Sequence, residues 1–158
     1  MAYVGVVGPS SADGRELDAA EVLGRGLAQR GHVVVCGGLG GIMEAVSRGA
    51  AGAGGIVLGL LPGTDRADAN AYVSVAVPTG LGELRNGLLV RSSDVVVGVG
   101  GSWGTLSEIA LAVRTGVPVI GIGGWVLTTA DGRGIDDGPR VVPSADAALE
   151  QLDVILSR

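Results

Sequence analysis

The chain has 158 residues, of which 30 are glycine, 47% are hydrophobic and 17% are charged. This aliphatic composition is typical of a folded domain and argues against disorder. All 11 basic residues are arginine, which excludes a Schiff-base lysine and the lysine of a Walker-type phosphate loop. The net charge of −5 disfavours binding to a nucleic-acid backbone, so we expect no nucleic-acid partner.

The cellular compartment is indicated by what the sequence lacks. Cys36 is the only cysteine, so neither an intrachain disulfide nor a cysteine zinc site can form. The first residues lack the basic region of a signal peptide. No apolar run approaches the roughly 20 residues of a membrane span. We therefore expect a cytoplasmic protein with no membrane partner and one domain covering residues 1–158.

Short apolar runs alternate with helical patterns along the chain, and most of these runs are bounded by Gly or Pro. The runs predict six strands, at 3–7, 33–36, 55–60, 72–77, 94–99 and 117–122. The helical patterns predict five helices, at 13–29, 42–51, 81–91, 105–114 and 144–156. We expect the polar stretch 64–70 and the turn-rich stretch 125–140 to be loops.

Buried strands that alternate with helices predict a mostly parallel sheet with helices on both faces. The expected fold class is therefore α/β, a doubly wound Rossmann-like domain. In such sheets, ligands bind beyond the carboxyl ends of the strands, where the strand order reverses. The loops after the first, second and fifth predicted strands are the richest in Gly and Ser, so we expect the site there.

Two of these loops, residues 37–41 (the first turn) and residues 100–104 (the second turn), share one design, because each joins a buried strand to a helix. Glycines there let backbone amides approach an anion closely, and the helix N-terminus adds partial positive charge. The alternative is that the glycines only permit tight turns. The candidate phosphate-binding residues are Gly8, Ser10, Ser11, Gly37, Gly38, Gly40, Gly41, Gly100, Gly101, Ser102, Trp103, Gly104 and Thr105.

Residues 101–108 resemble the Pro-Gly-Gly-x-Gly-Thr-x-x-Glu motif of the LONELY GUY-type phosphoribohydrolases, also called lysine decarboxylase-like proteins. Arg85 stands where that family has an arginine, and residues 37–50 resemble its Gly-Gly-x-x-Gly-x-Met segment. The resemblance covers residues 3–122. It implies a nucleotide-binding Rossmann-like protein that hydrolyses the N-glycosidic bond of a nucleoside 5′-monophosphate, with Arg85 and Glu108 as catalytic residues.

The sequence also departs from that motif. Its Pro is Gly100 here, one of its glycines is Ser102, and the Lys after its Arg is Asn86. The chain is thus also similar to a branch of small nucleotide-binding proteins that is related to DNA-processing protein A and includes molybdenum cofactor carrier proteins. That similarity implies the alternative function, a non-catalytic carrier of molybdenum cofactor or another phosphorylated ring ligand. Neither function requires a cofactor, although a nucleotide monophosphate or molybdenum cofactor could be bound.

Several residues have a second interpretation. In the hydrolase reading, Glu108 stabilises an oxocarbenium-like transition state and Arg85 keeps that carboxylate ionised. Alternatively, Glu108 completes a capping box in which Thr105 is the N-cap. Trp103 is suited either to stack on a ring or to seal a subunit interface.

Two further expectations concern metal binding and assembly. Acidic residues of the 125–140 loop are conceivable metal ligands, but we expect a solvated turn and no metal site; these residues are Asp131, Asp136 and Asp137. The predicted helices 81–91 and 105–114 carry more apolar residues than one sheet face can cover, which predicts a homodimer or homotetramer.

Overall fold

The computed structural model of the protein describes residues 1–157. Its strands are β1 (Tyr3–Val7), β2 (Val33–Cys36), β3 (Val57–Leu61), β4 (Val75–Pro78), β5 (Val95–Val99), β6 (Val119–Ile122) and β7 (Arg140–Val142). They form one seven-stranded sheet in the order β4-β3-β2-β1-β5-β6-β7, and every neighbouring pair is parallel. The predicted α/β Rossmann-like fold is confirmed. The strand order reverses between β1 and β5, because β1 lies beside both β2 and β5.

Five helices cover the two faces of this sheet, and each face has its own core. The helices are α1 (Gly14–Gln29), α2 (Ile42–Gly52), α3 (Arg85–Arg91), α4 (Trp103–Arg114) and α5 (Ala145–Leu156). One core joins α1, α2 and α5 to the sheet, and the other joins α3 and α4 to the opposite face. Strand β5 illustrates the division, because Val95 and Val97 lie in the first core and Val96 in the second.

Helices α1 and α2 approach each other unusually closely, because glycines lie at their contact. A Cβ atom on Gly24 of α1 would overlap the carbonyl of Val46 in α2. A Cβ atom on Gly49 of α2 would likewise overlap the carbonyl of Glu21 in α1. The two helices are therefore held at a backbone-to-backbone distance that only glycine permits at these two positions.

Several boundaries differ from those predicted, most of them by one or two residues. Helix α3 begins at Arg85, four residues late, because residues 82–84 form a separate 3-10 turn. Strand β4 begins at Val75, three residues late, because the Asn70 side chain accepts a hydrogen bond from the Tyr72 amide at 3.1 Å and extends the preceding turn. Helix α4 begins at Trp103, two residues early. Strand β7 lies at the end of the predicted 125–140 loop, where residues 140–142 pair with β6. Within residues 1–157, no helix is long and apolar enough to cross a membrane.

Candidate functional site

A cavity of about 330 Å³ opens beyond the carboxyl ends of the strands, where their order reverses. One or more residues from each of the loops after β1, β2 and β5 line this cavity. Its wall consists of Val7, Gly8, Pro9, Ser10, Leu39, Met43, Pro62, Gly82, Glu83, Arg85, Asn86, Ser102, Gly104, Thr105 and Glu108. Besides Arg85 and Glu108, five of the predicted ligand-binding residues belong to this wall, namely Gly8, Ser10, Ser102, Gly104 and Thr105.

The N-terminal helical turn of α4 forms one side of the cavity. Ser102 is the N-cap, and its hydroxyl accepts a hydrogen bond from the Thr105 amide at 3.2 Å. The prediction that Thr105 is the N-cap is wrong, because the helix begins two residues earlier and Thr105 is its third residue. The amides of Trp103 and Gly104, by contrast, have no partner within the helix, because no helical carbonyl lies four residues before them. They are therefore suited to bind an anion.

The N-terminal helical turn of α2 contributes Met43 to the same cavity. Gly41 is the N-cap of this helix, with φ of 63°, and no side chain caps its amides. The Ile42 amide donates instead to the carbonyl of Pro9 at 3.1 Å. Two helix N-termini, each with a partial positive charge, therefore lie at one cavity.

All four glycines of the first turn lie outside the cavity wall, and Leu39 is the one residue of this turn that lines it. Gly37, Gly38 and Gly41 have packing roles that their lack of a side chain explains. A Cβ atom on Gly41 would meet the backbone of Pro9 and Ser10 at 2.5 Å, so this turn packs directly on the loop after β1. The predicted ligand-binding residues outside the wall in these two loops are Ser11, Gly37, Gly38, Gly40 and Gly41.

The second turn is also only partly in the wall, since Gly100, Gly101 and Trp103 lie outside it. A Cβ atom on Gly101 would lie 3.0 Å from the indole nitrogen of Trp125. That indole donates a hydrogen bond to the carbonyl of Ser102 at 3.1 Å. The rings of Trp103 and Trp125 stand 5.1 Å apart at 41°, and Trp103 is 77% exposed.

Arg85 lies beneath the first turn with its guanidinium half-buried. Its Nη1 donates to the carbonyl of Leu60 at 2.9 Å. Its Nε is buried and has no hydrogen-bond partner among residues 1–157. Burial lowers the pKa of this guanidinium, and the neighbouring Glu108 opposes that change. Arg85 remains a cation at physiological pH, with donor capacity that the protein does not use.

Glu108 faces Arg85 across the cavity wall and is only 8% exposed. Burial raises the pKa of its carboxyl to about 7, although the charge of Arg85 acts to lower it. Near neutral pH the group is thus about half protonated and can either donate or accept a hydrogen bond. The two residues for which the resemblance implies catalysis thus lie in the wall of one cavity.

Some wall residues were missed by sequence reasoning. Pro9, Met43 and Pro62 add apolar surface to the wall. Pro9 and Pro62 lie just after β1 and β3, which is the only signal that could have indicated them, whereas Met43 belongs to the segment 37–50 that carries the family resemblance. Cys36 is buried next to Ser47, and burial raises the pKa of its thiol. Among residues 1–157 no cluster of three or more metal-ligating side chains occurs. Asp131 instead accepts hydrogen bonds from Thr129 and Arg133 within its own loop.

Comparison with known proteins gives one family and a set of close structural neighbours. The sequence profile of the SLOG cluster4 family matches residues 1–145. An uncharacterized protein of Archaeoglobus fulgidus is 39% identical over 116 residues, which are 73% of this chain and 76% of that protein.

The structural neighbours include molybdenum cofactor proteins. The molybdenum cofactor binding protein of Rippkaea orientalis superposes with a TM-score of 0.89 and 33% identity, over 98% of this chain and 97% of that one. The molybdenum cofactor carrier protein of Chlamydomonas reinhardtii superposes with a TM-score of 0.83 and 27% identity, over 99% of both chains. DNA processing protein A of Helicobacter pylori, at 17% identity and a TM-score of 0.72 over 97% of this chain and 80% of that one, shares the fold alone.

Proposed function

The chain belongs to the SLOG cluster4 family, and from that premise we propose that it binds a phosphorylated ring compound and carries it chemically unchanged. The cargo that we propose is molybdenum cofactor, which is a pterin phosphate. The observation that carries this proposal is the cavity at the reversal of strand order, where two helix N-termini meet apolar side chains. The likeness to the cofactor-binding protein of Rippkaea orientalis supports the choice of cargo.

The phosphate would bind at the N-terminal helical turn of α4. The amides of Trp103 and Gly104 lack helical partners there, and the helix dipole favours a negative charge. The hydroxyls of Ser10 and Ser102 lie in the same wall and are further donors. Arg85 adds a full positive charge, and charge-assisted hydrogen bonds to phosphate are stronger than neutral ones.

The ring would bind against the apolar side of the cavity. Leu39, Met43 and Pro62 lie in its wall and present no charge. The volume of about 330 Å³ lies within the range of roughly 300–1,000 Å³ that is usual for small-molecule sites. An apolar side next to an anion-binding end suits a flat ring that carries one phosphate.

Hydrolysis of a nucleoside 5′-monophosphate is the second candidate. One observation favours it, since Arg85 and Glu108 lie in the wall of the same cavity. The reaction needs an ionised carboxylate near the reacting carbon, because the transition state is oxocarbenium-like. With a pKa of about 7, Glu108 is ionised in only about half of the molecules at neutral pH. The carrier function makes no such demand on Glu108, so we prefer it.

A co-purification experiment tests the choice between the two functions. The protein is made in a host that synthesises molybdenum cofactor and is purified without oxygen. Pterin and molybdenum released on denaturation are then quantified by fluorescence and mass spectrometry. We expect both at comparable amounts per chain, and no free adenine when the protein is incubated with AMP. Release of adenine would support the hydrolase, and a protein free of pterin would contradict the carrier.

A charge inserted at Gly104 provides a matched test of the phosphate position. A Cβ atom there would meet only the Ser102 hydroxyl, at 3.8 Å, so the fold accepts a side chain. We expect Gly104→Glu to abolish pterin retention by repelling the phosphate, and the neutral Gly104→Gln to retain more of it. Gly52→Glu is the control, because a Cβ atom at Gly52 meets nothing within 4 Å and Gly52 lies at the far end of α2.

We also propose that the protein is a homodimer or homotetramer. Leu84 is 80% exposed and lies with Trp103 and Leu111 along one groove between α3 and α4. A contiguous apolar surface of this kind supports association between copies of the chain.

A further inference from the structure

We propose that Asn70 and Trp125 are positioning residues that hold the two glycine-rich turns in the conformation that binds the proposed cargo. This inference rests on the proposed function and names residues that it does not include. Neither side chain is part of the cavity wall. Each comes from a segment that the sequence pattern describes only as a loop or its border, and each forms hydrogen bonds to the carbonyl groups of one turn.

Asn70 binds the first turn at two successive peptide units. Its backbone N–H donates to the carbonyl of Gly38 at 2.8 Å, and its side-chain Nδ2 donates to the carbonyl of Leu39 at 2.9 Å. Its Oδ1 accepts from the amide of Tyr72 at 3.1 Å, which fixes the side chain itself. Asn70 thus connects the first turn to the chain between β3 and β4, which is remote from it in sequence.

Trp125 binds the second turn in a corresponding way. Its indole nitrogen donates to the carbonyl of Ser102 at 3.1 Å, and its ring covers Gly101 so closely that a Cβ atom there would be only 3.0 Å from that nitrogen. The turn is also fixed at its start, where the amide of Gly100 donates to the carbonyl of Ile122 at 3.0 Å. Trp125 therefore acts on the peptide unit that leads into α4.

These contacts determine the direction of specific amides. In a planar trans peptide, the carbonyl and the following N–H point in opposite directions. Fixing the carbonyls of Gly38 and Leu39 thereby orients the amides of Leu39 and Gly40. Fixing the carbonyl of Ser102 orients the amide of Trp103 away from Trp125. The two side chains therefore occupy carbonyl groups rather than amides, and the Trp103 amide stays available to the proposed phosphate.

A turn rich in glycine would otherwise lose much of its affinity to disorder. Glycine has more accessible backbone conformations than other residues, so ordering such a turn on binding is costly. A turn that is ordered before the ligand arrives avoids this cost, which raises affinity without any new ligand contact. Asn70 and Trp125 provide that order from outside the cavity.

Two variants and one control test this role. Asn70→Ala removes the side-chain donor to Leu39, and Trp125→Phe keeps a ring over Gly101 but has no N–H. Ser74→Ala is the control, because its hydroxyl accepts from the Val57 amide at 3.0 Å in the same β3–β4 connection but contacts neither turn. Amide order parameters of both turns are measured by NMR relaxation on the ligand-free protein, and pterin content is measured after anaerobic purification.

We expect the order parameter of the Gly40 amide in Asn70→Ala to fall from about 0.85 to below about 0.6. The order parameter of the Trp103 amide in Trp125→Phe should fall by less, because the Leu106 amide still donates to the Ser102 carbonyl at 2.9 Å. Pterin content should fall at least threefold in both variants and remain at the wild-type level in Ser74→Ala. Turns that stay ordered in both variants would overturn the inference, as would flexible turns with full pterin content. A wild-type protein without pterin would refute the proposed function, and the order parameters would then decide the positioning role alone.

Discussion

Gly37 and Arg85 are packed so closely that residue 37 has no room for a side chain. A Cβ atom at this position would overlap the Arg85 guanidinium, whose Nη1 is held by the carbonyl of Leu60. Arg85 packs against Gly37, which directly follows β2, and lines the cavity. Gly37 therefore affects the proposed phosphate site without lining the cavity, because it determines where the Arg85 cation lies.

Gly37→Ala should displace Arg85 and reduce pterin retention at least about tenfold, since a hydrogen bond to a charged group contributes about 1.5–3 kcal/mol. Gly40→Ala is the matched control in the same turn, because a Cβ atom at Gly40 meets nothing within 4 Å. Retention is measured as pterin per folded chain. Equal losses in the two variants would contradict the role assigned to Gly37.

Glu108 should make stability depend on pH. Burial raises the pKa of its carboxyl from 4.5 to about 7, so the folded protein binds a proton that the unfolded chain releases between these values. The free energy of unfolding therefore falls as the pH rises from 4.5 to about 7 and is constant above it. The loss is roughly 3 kcal/mol for a shift of this size.

Glu108→Gln removes this titration while preserving the shape of the side chain. Denaturant unfolding at several pH values should show the variant gaining stability relative to the wild type as the pH rises from 4.5 to about 7. The comparison isolates Glu108, because every other titrating group is common to both proteins. Unfolding free energies that differ by a constant amount across this range would mean that the carboxyl titrates normally.

The contact between α1 and α2 should tolerate no methyl group. Gly24→Ala and Gly49→Ala each place a Cβ atom on a backbone carbonyl of the other helix, and we expect each to cost about 1–3 kcal/mol. Gly52 lies in α2 like Gly49, but a Cβ atom there meets nothing within 4 Å. Gly52→Ala should therefore stabilise the fold by about 0.5 kcal/mol. Thermal and denaturant unfolding measure all three. Gly24→Ala and Gly49→Ala proteins as stable as Gly52→Ala would contradict the requirement for glycine at this contact.

Association through α3 and α4 should be sensitive to charge at Leu84. We expect Leu84→Glu to reduce the molecular mass in sedimentation experiments to that of the monomer, because the substitution places a carboxylate in an apolar interface. Val154→Glu is the control, since Val154 is also exposed but lies on α5. A wild-type mass of one chain at all concentrations would refute the proposed oligomer.

Local patterns in the sequence were sufficient to predict most of the fold. Residues 33–36 are four buried apolar residues between His32 and Gly37, and their assignment as a strand is confirmed. Strand β7 was missed because it has only three residues, begins with the exposed Arg140 and lies at the edge of the sheet. Its pairing with β6 depends on tertiary contacts that leave no periodic signal in so short a segment.

The candidate site was predictable only in outline. The family resemblance implied that Arg85 and Glu108 share a site, and both line the cavity; the glycine pattern indicated the edge of the sheet at which this cavity lies. The contacts of Asn70 and Trp125 join segments that are 31 and 23 residues apart, and such contacts have no local signature. The cap of α4 was assigned to Thr105 rather than Ser102 because both residues are good N-caps, and only the backbone conformation distinguishes them.

The pairing of Trp103 with Trp125 has a practical consequence. These are the two tryptophans of the whole chain, and both adjoin the turn that leads into α4. Ultraviolet emission above the tyrosine band therefore originates from a single spot beside the cavity. The unlabelled protein thus has a built-in optical reporter, with which arrival and departure of a cargo can be timed in a stopped-flow instrument.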